Sequence, residues 1–232
     1  MGNLYIVATP IGNLQDITLR AMETLRSVDF LLCEDARTTS NLLSFINKRV
    51  KEVEKKPKLI PFYEGNEIKI IEEVISTLKN GFNIGIVSDA GTPTISDPGF
   101  KLVRECIKQG IRVESIPGPT SLISSLVSSG LPTDKFLFMG FLPKKQGHRE
   151  TSLKNLNESL KLINSTVIIF ESPHRVLKTL EEIKNVFGDI EIVVARELTK
   201  IHEDIRKDLI SNQIKHYKNG IKGEIVLLFN LK

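Results

Sequence analysis

The chain has 232 residues, of which 41% are hydrophobic and 26% charged, with a formal net charge of +4. Soluble globular domains average about 45–50% apolar and about 25% charged residues, so disordered, collagenous and fibrous chains are excluded, and a chain of this size buries about 70% of its unfolded surface without a disulfide or metal staple. No apolar run approaches the ~18 residues of a membrane span, and the opening MGNLYIVATPIG lacks the basic flank and small-residue cleavage site of a secretory signal, so a cytoplasmic protein with no membrane partner is expected.

The first half alternates apolar runs with helix-like segments. LYIVA (4–8), FLLC (30–33), LIPF (59–62), NIGIV (83–87) and RVESI (112–116) read as strands, the pattern of an α/β sheet with many parallel strands. Residues 18–28 predict a helix capped by Thr18, with Leu19, Met22, Leu25 and Val28 on one face. Residues 67–80 and 97–109 predict two more, the second opening at an Asp97 cap with Pro98 in the first turn. Pro117-Gly118-Pro119-Thr120 then breaks the chain and leads into the small-residue segment SLISSLVSSG, which sets two lobes, 1–116 and 117–232. In the second lobe KFLFMGF (135–141), TVIIF (166–170), EIVVA (191–195) and EIVLLF (224–229) read as strands, with helices near 149–162 and 174–186 and short polar elements near 199–221.

Charge is unevenly spread. Residues 1–116 carry 15 basic and 15 acidic side chains, whereas residues 117–232 carry 17 and 13, so the excess lies wholly in the second half. Lys135, Lys144, Lys145 and Arg149 form an acid-free stretch suited to a polyanion such as RNA, although 22 of the 32 basic residues are lysine and could decorate any solvated loop. Cys33 and Cys106 form no metal-binding or redox pattern and read as reduced core thiols.

The phosphate-loop, dinucleotide-binding, zinc-protease and nucleophile-elbow signatures are absent. Six polar turns remain, each opening at the carboxyl end of an apparent strand, where open α/β sheets bind ligands. They are ATPIGNLQDIT (8–18), CEDARTT (33–39), SDAGTPTISDPG (88–99), IPGPTS (116–121), FESPHR (170–175) and ARELTK (195–200). Glu34, Asp35 and Arg37 cluster in the second turn, where function outweighs a structural salt bridge. The third packs two Asp, two Gly, two Pro and two Thr into a dozen residues, a loop of exposed backbone amides able to hold a polar ligand.

Taken in order with FMGFLPKK and GEIVLLF, these segments resemble the tetrapyrrole-methylase superfamily, and within it the small-subunit rRNA methyltransferase I family, over about residues 3–229. Ala90-Gly91-Thr92-Pro93 stands where small-molecule members carry a GGDP-type loop, a departure pointing to the rRNA branch. The resemblance implies two α/β lobes with S-adenosylmethionine in a cleft between them, not a Rossmann-type site, and a homodimer. It implies methylation of the ribose 2′-oxygen of a cytidine in 16S rRNA, on naked RNA or the 30S subunit, with no metal. By the same resemblance Pro10, Ile11, the Asp89, Ala90, Gly91, Thr92 and Ile95 loop, Thr120, Ser121, Phe170, Ala195 and Arg196 line the donor pocket, with Glu224 near its floor.

Methyl transfer from a sulfonium requires the acceptor oxygen in line at roughly 3–3.5 Å, and a carboxylate base typically contributes ~10²–10⁴-fold. Glu34, Asp35 and Glu171 are the candidates, each with the alternative of pairing with its own motif's arginine. Arg37, His174, Arg175, Lys144, Lys145 and Arg149 are candidate nucleotide contacts, His174 having the alternative of capping the helix at Pro173. Phe141 and Phe62 are candidates for stacking on unpaired bases. A same-superfamily methyltransferase of a tetrapyrrole or a protein side chain, and an RNA-binding assembly factor without activity, are the alternatives.

Overall fold

The computed structural model describes residues 1–49 and 56–231. The chain divides into two compact units, Met1–Thr120 and Ser121–Lys232. Each is an α/β unit built on a five-stranded sheet.

The first unit is a five-stranded, wholly parallel sheet in the order β3-β2-β4-β1-β5, formed by β1 (Leu4–Val7), β2 (Phe30–Cys33), β3 (Lys58–Pro61), β4 (Ile84–Ile86) and β5 (Val113–Ile116). Its strands read as continuous apolar runs because parallel strands are covered on both faces. Leu4 and Ile6 of β1 turn toward Val74, Leu78, Leu102 and Cys106 of α3 (Glu67–Lys79) and α4 (Phe100–Lys108). Val7 turns the other way, toward Ala21, Leu25, Leu42 and Ile46 of α1 (Leu19–Ser27) and α2 (Ala36–Arg49). Thr18 caps α1 as expected, its hydroxyl oxygen accepting from the Ala21 N–H at 3.1 Å.

One helix goes unread in the sequence and one expected helix start is corrected. A 14-residue helix, α2, begins within CEDARTT at Ala36, and the apolar pattern does not announce it. Its first turn, Ala-Arg-Thr-Thr-Ser, masks the apolar spacing of Leu42 and Ile46 further along. The helix expected to start at Asp97 begins at Phe100, with Gly99 in the cap position at φ 125°. Asp97 is out of register with a cap and turns to Ser88 instead.

The second unit carries a mixed sheet, β6-β7-β10-β8-β9. β6 (Phe136–Phe141) and β7 (Thr166–Glu171) are parallel; β10 (Ile225–Phe229) inserts antiparallel between β7 and β8 (Glu191–Arg196), and β9 (Asp204–Leu209) pairs antiparallel with β8. One face is covered by Leu153, Leu156 and Leu160 of α6 (Gln146–Leu162), Val176, Leu180 and Ile183 of α7 (Val176–Phe187), and Ile210 of α8 (Ile210–His216). The segment SLISSLVS is itself a helix, α5 (Ser121–Ser128), packed against β10. No helix among the described residues is long and apolar enough to cross a membrane. Both cysteines are buried and free.

Candidate functional site

In the first unit the chain leaves β1 toward β2 and leaves β4 toward β5, in opposite directions, although β1 and β4 are neighbours. A crevice outside the carboxyl ends of such strands is the ligand position of open α/β sheets. The two loops bordering it are those after β1 and β4. They are joined by a reciprocal bridge, the Thr9 N–H donating to the Gly91 carbonyl at 2.8 Å and the Gly91 N–H to the Thr9 carbonyl at 3.1 Å.

Glycine is required at two points of this edge. Gly91 has φ 87°, and a Cβ there would lie 3.3 Å from Ile11 Cγ2; at Gly118 a Cβ would lie 3.0 Å from the Ala8 Cβ. The Thr92 hydroxyl donates to the Pro119 carbonyl at 3.2 Å, tying the β4 and β5 loops together. Pro10 and Asp89 line a cavity of ≈ 170 Å³ together with Thr9, Thr38, Asn41 and Ser88. Of these last four only Asn41 lies outside the polar turns; it joins Thr38 at the cavity on α2, which starts at Ala36. Ile11 is buried, Ala90, Thr92 and Thr120 are half-buried, and Ile95 is exposed.

The three acidic candidates separate by environment. Asp35 caps α2: its Oδ1 accepts from the Arg37 N–H at 2.7 Å and its Oδ2 from the Arg37 guanidinium at 3.0 Å. Arg37, and the backbone amides behind it, hold this carboxyl below the usual carboxylate range, which makes it a weak base. Arg37 itself is 91% exposed along its side chain. Glu171 is buried, accepting from Ser172 N–H at 2.7 Å and from the Thr179 hydroxyl at 2.5 Å, with Arg175 Nε 3.3 Å away. A carboxylate so committed is corrected from candidate base to structural anchor.

Glu34 is different. It is exposed, and no donor reaches its carboxylate among the described residues. Partial desolvation and the negative charges of Asp89 and Asp97 push its pKa up. Asp97, half-buried, is pushed up by desolvation and by Asp89, against the bond from Ser88. The Asp35 N–H donates to Asp89 Oδ1 at 3.2 Å, so the loops after β2 and β4 also meet directly. Asp97, read from sequence as a helix cap, thus belongs to the acidic group.

In the second unit the strand register brings the remaining candidates to one sheet edge, because Ile225 of β10 lies opposite both Glu171 of β7 and Arg196 of β8. Phe170 stacks edge-on against Phe138 and Phe141, with ring centroids 4.8 and 5.7 Å apart. Phe141 is 54% exposed, whereas Phe62 in the first unit is 1% exposed and is corrected from a stacking candidate to a core residue. Arg196 donates to the Lys222 carbonyl at 3.5 Å, and its buried Nε has no hydrogen-bond partner among the described residues. Ala195 is fully buried in β8, opposite Val226 of β10 and Ile205 of β9. Ser121 is half-buried at the start of α5. Glu224 is 67% exposed along its side chain and pairs with Lys200 at 3.3 Å.

Arg149 is also corrected. It is 3% exposed, forms a two-pronged pair with Glu182, and donates to the Pro143 and Lys144 carbonyls at 3.0 and 3.1 Å. Arg175 adds a bond to the Leu142 carbonyl at 2.8 Å. Both arginines therefore clamp the backbone of the LPKK loop from within, while Lys144 and Lys145 are exposed. His174 is exposed and does not cap α7, which starts at Val176 after an Arg175 cap position without a side-chain bond.

Residues 3–212 match the family of Tetrapyrrole (Corrin/Porphyrin) Methylases. The chain is 46% identical, across the whole length of both chains, to a protein of Thermotoga maritima named Ribosomal RNA small subunit methyltransferase I. Proteins of the same name from Haemophilus influenzae and Escherichia coli O157:H7 are 46% and 43% identical over 98% of this chain, and 78% and 77% of theirs. Among solved structures it is similar to diphthine synthase (TM-score 0.72, 12% identity, 99% of this chain and 90% of that one). It is also similar to uroporphyrin-III-C-methyltransferase from Thermus thermophilus (TM-score 0.63, 16% identity, 98% and 94%). At such identities the structural likeness speaks for the fold alone.

Proposed function

The chain belongs to the tetrapyrrole (corrin/porphyrin) methylase family, alongside the small-subunit rRNA methyltransferase I proteins, and from that premise we propose that it methylates the ribose 2′-oxygen of a cytidine in 16S rRNA. The observation that carries this reading is the end-to-end likeness, 46% identity over the full length, to a relative bearing that name. The methyl donor is S-adenosylmethionine, which when bound supplies a methyl group activated by a sulfonium.

The residues present suit such a ligand. The orphaned Nε of Arg196 offers a buried donor to a carboxylate, and Gly91 and Gly118 let backbone close in where a side chain would collide. Donor contacts are assigned to Pro10, Ile11, Asp89, Ala90, Gly91, Thr92, Ile95 and Thr120 on the first unit. On the second they are assigned to Ser121, Phe170, Ala195, Arg196 and Glu224.

Glu34 is assigned as the base that takes the ribose hydroxyl proton. A base works best when its pKa approaches the working pH; Glu34 is raised and, among the described residues, has no donor on its carboxylate, whereas Asp35 is lowered by Arg37. Asp89 and Asp97 keep Glu34 raised. Lys144 and Lys145, with Arg37 and His174 as further exposed contacts, are assigned to RNA phosphates. A homodimer in the cytoplasm is the assembly this reading expects.

The test incubates the protein with S-adenosylmethionine carrying a labelled methyl group, using 30S particles and naked 16S rRNA as parallel acceptors. Label is expected in a nucleotide whose 3′ phosphodiester resists alkali, because the methylated 2′-oxygen can no longer attack it. Label on a base, or none in either RNA form, overturns the ribose assignment.

A further inference from the structure

The loop between β4 and α4 holds a conformation that its own residues disfavour. Thr94 and Ser96 have φ of 73° and 63°, and Gly99 has 125°. Left-handed backbone is unfavourable for residues with a Cβ, most of all for a β-branched one, and it persists only where the surroundings over-determine it. Near its start the loop is fixed by the reciprocal bridge between Thr9 and Gly91. Its far end is fixed by a residue outside all six polar turns.

That residue is Glu67, the first of α3. It is 4% exposed, and its Oε1 accepts from the Gly99 N–H at 3.0 Å while Oε2 faces Lys101 Nζ at 3.4 Å. A carboxylate at a helix N-terminus gains from the dipole even when solvated; burying it is costly unless it is hydrogen-bonded. Gly99 has no slack to offer another anchor, since a Cβ there would lie 2.8 Å from Ile86 Cδ1 and 2.9 Å from Thr94 Cγ2. The Gly99 amide is therefore pinned between β4 and α3, and the left-handed Thr94–Ser96 turn is stretched between that pin and the Thr9 bridge.

We infer that Glu67 is a positioning residue for the methyl-donor site: its carboxylate holds the far end of the 88–99 loop and so sets the backbone of Asp89–Ile95. The inference rests on the methyl-donor reading and deepens it. Glu67 touches neither donor nor acceptor; it acts through the Gly99 amide.

The test measures S-adenosylhomocysteine binding by calorimetry, donor and rRNA kinetics, and amide exchange of the 94–99 segment without ligand. Glu67→Asp keeps the charge but is one methylene short of the Gly99 N–H. It is expected to speed exchange at Gly99 and to weaken donor affinity and raise donor KM roughly ten- to a hundredfold, the worth of a hydrogen bond to a charged group. The KM for rRNA stays unchanged, and kcat moves far less than donor KM. Glu67→Gln, which retains an acceptor, recovers most of the affinity, and Lys101→Met leaves it at the wild-type value. Faster exchange at Gly99 with unaltered donor affinity overturns the inference, as does an equal loss in the Gln or the Lys101→Met variant. Wild-type protein that binds no S-adenosylhomocysteine overturns the donor reading itself; wild-type binding with an unaffected Glu67→Asp overturns only the role of Glu67.

Discussion

Glu34 and Glu171 stand at equivalent places, each at the carboxyl end of an apolar strand with an arginine three or four residues on, and the two units give them opposite surroundings. Glu171 is fully buried and saturated by Ser172, Arg175 and Thr179. Glu34 is exposed, without a donor on its carboxylate among the described residues, and has its pKa raised by partial desolvation, Asp89 and Asp97. In the FESPHR turn the arginine reaches back to the glutamate; in CEDARTT, Arg37 takes Asp35 instead. A carboxylate at a strand mouth is therefore not marked as reactive by place alone. What separates an anchor from a base is whether its lone pairs are already filled.

The comparison breaks most sharply on activity. Replacing Glu34 by Gln is expected to lower kcat by ~10²–10⁴-fold, the usual contribution of a general base, with no loss of stability; single-turnover methyl transfer measures it. The same loss in Glu171→Gln at unchanged stability, with none in Glu34→Gln, would reverse the two roles. The pH dependence follows the same assignment. The base must be ionised, so the acid limb of kcat/KM should fall as pH drops through the raised pKa of Glu34, and that limb should vanish in Glu34→Gln. Linkage gives a second sign. A carboxyl whose pKa is raised by folding binds its proton more tightly in the native state, so its stabilisation is present at low pH and lost as pH rises through the folded pKa. Glu34→Gln should accordingly stabilise the protein slightly at neutral pH, as seen in the urea midpoint.

Next in size is the clamp under the LPKK loop. Arg149→Ala leaves Glu182 buried and unpaired, and removing one partner of a buried pair costs about 3–5 kcal/mol. Urea unfolding should show that loss, whereas joint replacement by Arg149→Met and Glu182→Leu should recover much of it. If Arg149→Ala leaves the urea midpoint unchanged and weakens only RNA binding, the residue is a phosphate contact after all.

The parallel sheet is readable because buried strands of that kind are continuous apolar runs bounded by turn residues, and the Thr18 cap because its hydroxyl lies next to the first periodic apolar residue. The mixed sheet is only partly readable. EIVLLF announces a strand, but nothing local tells it to insert antiparallel between β7 and β8. Asp97 misleads because Asp-Pro ahead of an apolar helix is also what a cap looks like; the left-handed turn at Thr94 and Ser96 carries the chain past that register. Arg149 misleads because charge counts ignore partners, and Glu182 lies 33 residues away in sequence. The site turns are visible as clusters of Gly, Pro, Thr and Asp, whereas the distinction between Glu34 and Glu171 depends on neighbours met in three dimensions.

The smallest effect concerns the surface of that same loop. Lys144 and Lys145 are exposed, while the backbone beneath them is held by Arg149 and Arg175 from inside the second unit. Charge presentation and loop structure are thus carried by different residues and can be separated. Replacing both lysines by alanine should leave the urea midpoint within about 0.5 kcal/mol of wild type, as for surface positions generally. Each lysine–phosphate pairing removed should reduce the slope of log affinity against log salt by about 0.7–0.9, so the pair together should flatten it by less than about two. Binding should weaken uniformly across RNA sequences, because phosphate contacts position and do not read bases. Filter binding of 16S rRNA fragments across a salt series measures this. An unchanged slope would place the RNA elsewhere and leave the clamp beneath the loop with a purely structural purpose.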